Sequence, residues 1–153
     1  MELVSSTETL DYGPYPKLER LSNKTLERVL VVEDDVSLVN LLTHVLEEMH
    51  PGILIDWATS GEEAEYYIKR ESEIYPDMPY DLVVADIFLE GETTGLDIWK
   101  LCDEDYPQTD ILVTSSLPVE KFLSSLQNEM NLPPYLPKPF TMRECLEAFE
   151  EFS

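Results

Sequence analysis

From Arg28 onward the chain alternates between short apolar, β-branched runs and longer stretches whose apolar residues recur at helical spacing. Val29 to Val32 is a continuous apolar run ending in acids, the pattern of a strand buried on both faces. Val36 to Met49 then places Leu38, Leu41, Leu42, Val45, Leu46 and Met49 on one helical face, and Pro51-Gly52 ends it. Ile53 to Ala58 reads as a second strand. Ser60-Gly61-Glu62-Glu63 fits a capping box, with Ser60 at the N-cap and Glu63 at N3, opening a helix that runs to about Glu71. Tyr80 to Phe88 is the third strand, Gly95 to Asp105 the third helix and Ile111 to Ser116 the fourth strand. Pro118 suits the first turn of a helix striped by Val119, Phe122, Leu123 and Leu126. Tyr135 and Leu136 begin a fifth strand. Thr141 to Glu144 is a second capping box, and Met142, Cys145, Leu146, Phe149 and Phe152 form the inward face of the last helix. Such alternation implies right-handed crossovers and a parallel α/β sheet.

The length of 153 residues suits one domain, able to bury roughly 70% of its unfolded surface without a staple. Charge is the unusual feature: 32 acidic against 10 basic residues give a net charge of -22. Nucleic-acid affinity rests on basic side chains, so direct DNA or RNA binding is disfavoured, and cations or basic partner surfaces are favoured. Residues 1–25, with Gly13, Pro14 and Pro16, read as an N-terminal extension, either a tail or a short helix from Leu18 to Leu26; residues 26–153 form the domain. No apolar stretch approaches the ~20 residues that span a bilayer, and Met1 to Leu10 lacks a signal-peptide pattern. A cytoplasmic address without membrane contact is expected by elimination. Cys102 and Cys145 are then reduced, buried thiols.

Ligands of open α/β sheets bind outside the carboxyl ends of the strands. Those ends carry Glu33-Asp34-Asp35, Asp86, Ser115-Ser116 and Lys138. Singly, each has an ordinary explanation: the acidic run caps the following helix, Asp86 ends a strand, the serines terminate another and Lys138 is a surface charge. Together they form a chemical set. Clustered carboxylates need a cation, and a few hard oxygen ligands favour Mg²⁺. An aspartate can attack a phosphoryl group to form an aspartyl-phosphate, while metal, lysine and hydroxyl neutralise its oxygens.

These residues stand in a familiar order. VLVVEDDVSLVNLLTHVL resembles the opening strand and helix of the receiver domains of bacterial two-component response regulators. DLVVADIFLEGETTGLDIW resembles the segment around their phosphorylated aspartate, and ILVTSS and YLPKPF resemble their fourth and fifth strands. The resemblance spans about residues 27 to 153 and implies a five-stranded parallel sheet of order 2-1-3-4-5 flanked by five helices, the flavodoxin-like receiver fold. It makes Asp86 the acceptor, Glu33 and Asp34 the metal-binding pair, and the carbonyl of Phe88 a further Mg²⁺ ligand. Ser115 is the hydroxyl that follows the phosphoryl group, Lys138 the catalytic lysine, with a cis Lys138-Pro139 bond, and Tyr135 the aromatic switch residue. A histidine kinase or histidine phosphotransfer protein would supply the phosphoryl group. Output would pass to a downstream protein through the face of the fourth helix, fifth strand and fifth helix, with a phosphorylation-dependent homodimer as a further partner.

The chain also departs from the pattern. Glu90 stands where proline is usual, and the loop from Glu90 to Thr94 is one residue longer than common. Ser116 replaces a small residue, Thr114 adds a neighbouring hydroxyl, and Pro137 removes a donor from the outer strand. Three functions fit: a phosphorylation-dependent switch, a receiver-like interaction module that works without phosphorylation, and a Mg²⁺-dependent phosphohydrolase. The third calls for a second acid two residues after the nucleophile, where this chain has Phe88. The expectation is a switch, not a conventional enzyme.

Overall fold

The computed structural model describes residues 25–125 and 132–152. Residues 1–24 of the expected extension, and Leu126 of the fourth helical stripe, lie outside the described residues. Five parallel strands, β1 (Arg28–Val32), β2 (Leu54–Ala58), β3 (Leu82–Asp86), β4 (Asp110–Ser115) and β5 (Tyr135–Pro137), form one sheet of order β2-β1-β3-β4-β5. The helices between and after them are α1 (Val36–Met49), α2 (Gly61–Ser72), α3 (Gly95–Asp105), α4 (Val119–Ser125) and α5 (Met142–Glu150).

Period-2 alternation along each strand splits the apolar core between the two faces of the sheet. Val29, Val31, Leu82, Val84, Leu112 and Leu136 pack with residues of α1 and α5. Leu30, Val32, Val83, Ala85, Val113 and Tyr135 pack with residues of α2, α3 and α4. Every residue of β3 and β4 is buried, so their runs are continuously apolar up to the polar ends. The strand order reverses between β1 and β3, and the crevice opens at their carboxyl ends.

Several boundaries differ from the sequence reading. The third strand is shorter at both ends than Tyr80 to Phe88, because only Leu82–Asp86 finds a parallel partner in β4. Pro118 precedes its helix: its carbonyl accepts from Phe122, so it caps α4 instead of opening the first turn. Ser60 accepts from the Glu63 amide, but the Glu63 carboxylate returns to Thr59, leaving half a capping box. Thr141 and Glu144 complete both halves. So do Thr94 and Asp97, a box the sequence reading passed over. Met142, at the first position of α5, is 52% exposed and does not join Cys145, Phe149 and Phe152, which are buried together on the inward face.

Cys102 and Cys145 are buried, unpaired thiols packed on opposite faces of the sheet. Burial pushes both up to about 12. A thiol reagent at pH 8 should therefore titrate neither in the native chain within minutes, and both after denaturation. The unfolded thiols ionise near ~8.5. The buried neutral thiols are thus harmless below that pH, and stability falls as pH rises above it. Native thiols reacting as fast as free cysteine would contradict this packing.

Candidate functional site

The carboxyl edge of the sheet assembles the acids and the lysine through backbone bonds that extend the ladders. The Glu33 amide donates to the Ala58 carbonyl at 3.0 Å, continuing the β1–β2 pairing one residue past β1. The Lys138 amide donates to the Ser115 carbonyl at 2.8 Å, doing the same for β4 and β5. These bonds aim both side chains toward Asp86 at the end of β3. The Lys138 Nζ lies 2.9 Å from Glu33 Oε1 and 2.9 Å from Asp86 Oδ2. The Lys138-Pro139 peptide is cis.

The acidic run divides by role. Asp35 is the N-cap of α1, its Oδ1 accepting from Ser37 and Leu38, so the plain helix-cap explanation belongs to Asp35. Glu33 is 2% exposed and turns inward, accepting from the Asp35 amide on Oε2. Asp34 is exposed at the rim of the same cluster. Carboxylate oxygens of Glu33, Asp34 and Asp86 all lie within 4.8 Å of one another. Burial pushes the Glu33 carboxyl above its usual range, against the pull of Lys138 and the Asp35 amide. Burial likewise opposes the Lys138 charge, but its bonds to Glu33 and Asp86 prevail and hold it above the usual lysine range.

This donor set fits a small divalent cation. Three carboxylates against one ammonium leave two formal negative charges at the cluster. Oxygens bound to one Mg²⁺ lie at most about 4.2 Å apart, a small closure from this arrangement, and such a site keeps several waters.

Ser115 is fully buried at the end of β4, its Oγ accepting from the Leu117 amide at 3.0 Å. Of its neighbours, Thr114 is buried opposite Asp86 in the β3–β4 register, and Ser116 is exposed. Phe88 follows Asp86 with its amide donating to Asp86 Oδ1 at 3.2 Å, while its ring is 57% exposed. Tyr135 is buried and stacked on Phe122 of α4, ring centroids 4.0 Å apart. Its hydroxyl donates to the carbonyls of Ser115 and Leu117.

Two residues at this edge escaped the sequence reading. The Trp57 indole at the end of β2 donates to the Glu33 carbonyl at 2.6 Å. Glu62, in the first turn of α2, accepts from two amides of the loop after β3. Both contacts cross more than twenty positions of sequence, and no local pattern announces them. Trp57 is half-exposed and Trp99 is buried in α3. Mg²⁺ should therefore change the fluorescence of the wild type and of Trp99→Phe, and Trp57→Phe should lose most of that change. A response that disappears with Trp99 instead would place the reporter elsewhere.

The site is thus three carboxylates and a lysine gathered at the carboxyl edge of a doubly wound parallel sheet, beside the point where the strand order reverses. The family model of the response regulator receiver domain matches residues 29–150, and the chain belongs to that family. It is 34% identical over 122 residues to a probable transcriptional regulatory protein of Picosynechococcus, covering 80% of this chain and 47% of that protein. It is 31% identical over 118 residues to the alkaline phosphatase synthesis transcriptional regulatory protein PhoP of Bacillus subtilis, covering 77% of this chain and 45% of PhoP. The chain thus spans about half the length of the curated relatives it matches. Among solved structures, the chemotaxis response regulator CheY4 of Vibrio cholerae superposes with a TM-score of 0.66 at 19% identity, over 84% of this chain and 100% of that one. A CheY-like receiver domain from Methanospirillum hungatei gives 0.63 at 23% identity, over 83% and 93%. These two likenesses carry the fold alone. Receiver domains are signalling modules, not classical enzymes, and typically bind Mg²⁺ in an acidic pocket. Among the described residues no helix is long and apolar enough to cross a membrane.

Proposed function

We propose that this receiver domain is a switch that takes a phosphoryl group on Asp86 from a phosphohistidine of a histidine kinase or histidine phosphotransfer protein. The supporting observation is the Lys138 ammonium bridging Glu33 and Asp86 at 2.9 Å each, with Asp34 at the rim. An Asp86 carboxylate oxygen attacks phosphorus, and the P–N bond breaks with its electron pair passing to the donor's imidazole. Lys138 sits where it can neutralise a phosphoryl oxygen once the Asp86 negative charge is shared with the new group. Glu33, Asp34, Asp86 and the Phe88 carbonyl would hold Mg²⁺, which supplies charge neutralisation to the transferring group. Intact-mass measurement with a small phosphodonor tests the reading: one added phosphoryl group is expected with Mg²⁺ and almost none without it. An unlabelled protein in both cases would favour an interaction module that works without phosphorylation.

Output follows from the connections of Ser115. Its carbonyl accepts from both the Lys138 amide and the Tyr135 hydroxyl, and Tyr135 stacks on α4. Movement of Ser115 toward a phosphoryl group would break the Tyr135 hydroxyl bonds and free its ring. The face of α4, β5 and α5 would then change shape for a downstream protein or a second copy. In this routing the partner is a protein, and the net charge of -22 disfavours direct contact between these residues and nucleic acid.

The phosphorylated state should be long-lived. Hydrolysis needs an in-line water, which a polar group helps to orient. In the receiver pattern the positions two after the acceptor and two after the hydroxyl residue flank that approach; here they are Phe88 and Leu117, neither of which can hydrogen-bond through its side chain. Phe88→Asn with Leu117→Glu should hasten loss of phosphate several-fold after the donor is removed. Equal lifetimes in the two proteins would show that apolar shielding does not control the rate.

A further inference from the structure

The loop from Ile87 to Thr94, between β3 and α3, carries both departures noted in the sequence: Glu90 in place of proline and one extra residue. The structure shows how it is held. Glu62 Oε2 accepts from the amides of Glu92 and Thr93, each at 3.0 Å. Glu90 forms an isolated parallel bridge with Ser60, just ahead of α2. Gly91 has φ +91°, and a Cβ there would lie 2.6 Å from Glu62 Oε1. A Cβ on Gly61 would lie 2.3 Å from the Thr93 carbonyl oxygen. Two glycines thus let loop and helix meet with no side chain between them, and a carboxylate receiving two amides makes charge-assisted bonds. Those amides hold the exposed Glu62 carboxyl below its usual range, the Thr93 bond foremost. Near its start the same loop carries Phe88, whose amide donates to Asp86. The loop is therefore anchored at the site by Asp86 and at its tip by Glu62.

We propose that Glu62 is a positioning residue for the phospho-acceptor site: its carboxylate pins the tip of the β3–α3 loop to α2 and so holds the Phe88 carbonyl in place beside Asp86. This inference rests on the function proposed above. Glu62 touches neither Asp86 nor a phosphoryl group in this arrangement, and acts through the backbone of residues 88 to 93. Proline would stiffen the usual loop; here the stiffness comes from a carboxylate thirty positions upstream, which compensates for the extra residue. Groups that orient metal ligands without touching the metal typically carry a tenfold or larger share of its affinity.

The test uses the full chain as wild type, Glu62→Ala and Glu62→Gln. Amide hydrogen exchange at Glu92 and Thr93 reads the latch, and calorimetric titration with Mg²⁺ reads the site. Glu62→Ala should exchange these amides faster and weaken Mg²⁺ binding by roughly tenfold, with the thermal midpoint little changed because Glu62 is exposed. Glu62→Gln keeps an acceptor oxygen and should stay closer to the wild type in both measurements. Three results overturn the proposal. Faster exchange in Glu62→Ala with undiminished Mg²⁺ binding makes the latch irrelevant to the site. Equal weakening by Glu62→Gln with its amides still protected assigns the effect to lost charge. A wild type that binds no Mg²⁺ overturns the reading of the site, and the positioning role with it, while the exchange data still report separately on the latch.

Discussion

Incubated with acetyl phosphate and Mg²⁺, the wild-type chain should gain one phosphoryl group and Asp86→Asn none. Asp86 ends the central strand, is 6% exposed and is gripped on both oxygens, by Lys138 on Oδ2 and by the Phe88 amide on Oδ1. Asparagine keeps the shape and one carbonyl acceptor but has no anionic oxygen to attack phosphorus. The fold should survive, because Lys138 retains Glu33 at 2.9 Å and the removal of one carboxylate lowers repulsion in the acidic cluster. The loss is thus one of chemistry, and it is expected to be complete. Circular dichroism and the thermal midpoint of the variant check the fold; intact mass checks the label. Equal labelling of the two proteins would move the acceptor to another residue.

Lys138→Ala should have the second-largest effect, and on stability as well as on labelling. In the native chain this ammonium is the neutralising contact of two side chains that are 2% and 7% exposed. Its removal leaves Glu33 and Asp86 buried near each other with a deficit of positive charge. Breaking such a pair from one side costs about 3 kcal/mol, which for a domain of this size lowers the thermal midpoint by roughly 6 to 12 °C. Mg²⁺ should restore part of that loss. It should also bind Lys138→Ala more tightly than the wild type, because the ammonium no longer competes for the same oxygens. Phosphoryl transfer should nonetheless fall, since the metal cannot replace a fixed charge on a different phosphoryl oxygen. Measured without divalent ions, an unchanged midpoint would show that the cluster does not depend on Lys138.

Much of this was legible one-dimensionally. A strand buried on both faces needs a continuous apolar run, and β1, β3 and β4 have one, so their polar ends stood out as candidates for a shared edge. Helix spacing located α1 and α3 to the residue, because the periodicity of a helix is set by residues three and four apart along the chain. Met142 misled because helical periodicity marks a direction around an axis and does not say where along the helix the core begins: Met142 at the first position is exposed, and Cys145 three residues on is buried. The acidic run was ambiguous for a similar reason. Whether a carboxylate caps a helix or turns into a cleft depends on a fraction of a turn of backbone, and the structure gives the cap to Asp35 and the cleft to Glu33.

The alternation of periods, the order of elements and the inventory of acids, hydroxyl and lysine at the strand ends belonged to the sequence, since each arises from interactions between near neighbours along the chain. Tertiary structure alone decided the rest. It set one ammonium between two particular carboxylates, joined Trp57 to the Glu33 carbonyl, and fastened the β3–α3 loop with Glu62. It also turned Tyr135 inward against α4. Each of these is a contact between residues more than ten positions apart, satisfied only once the sheet has closed the distance between them.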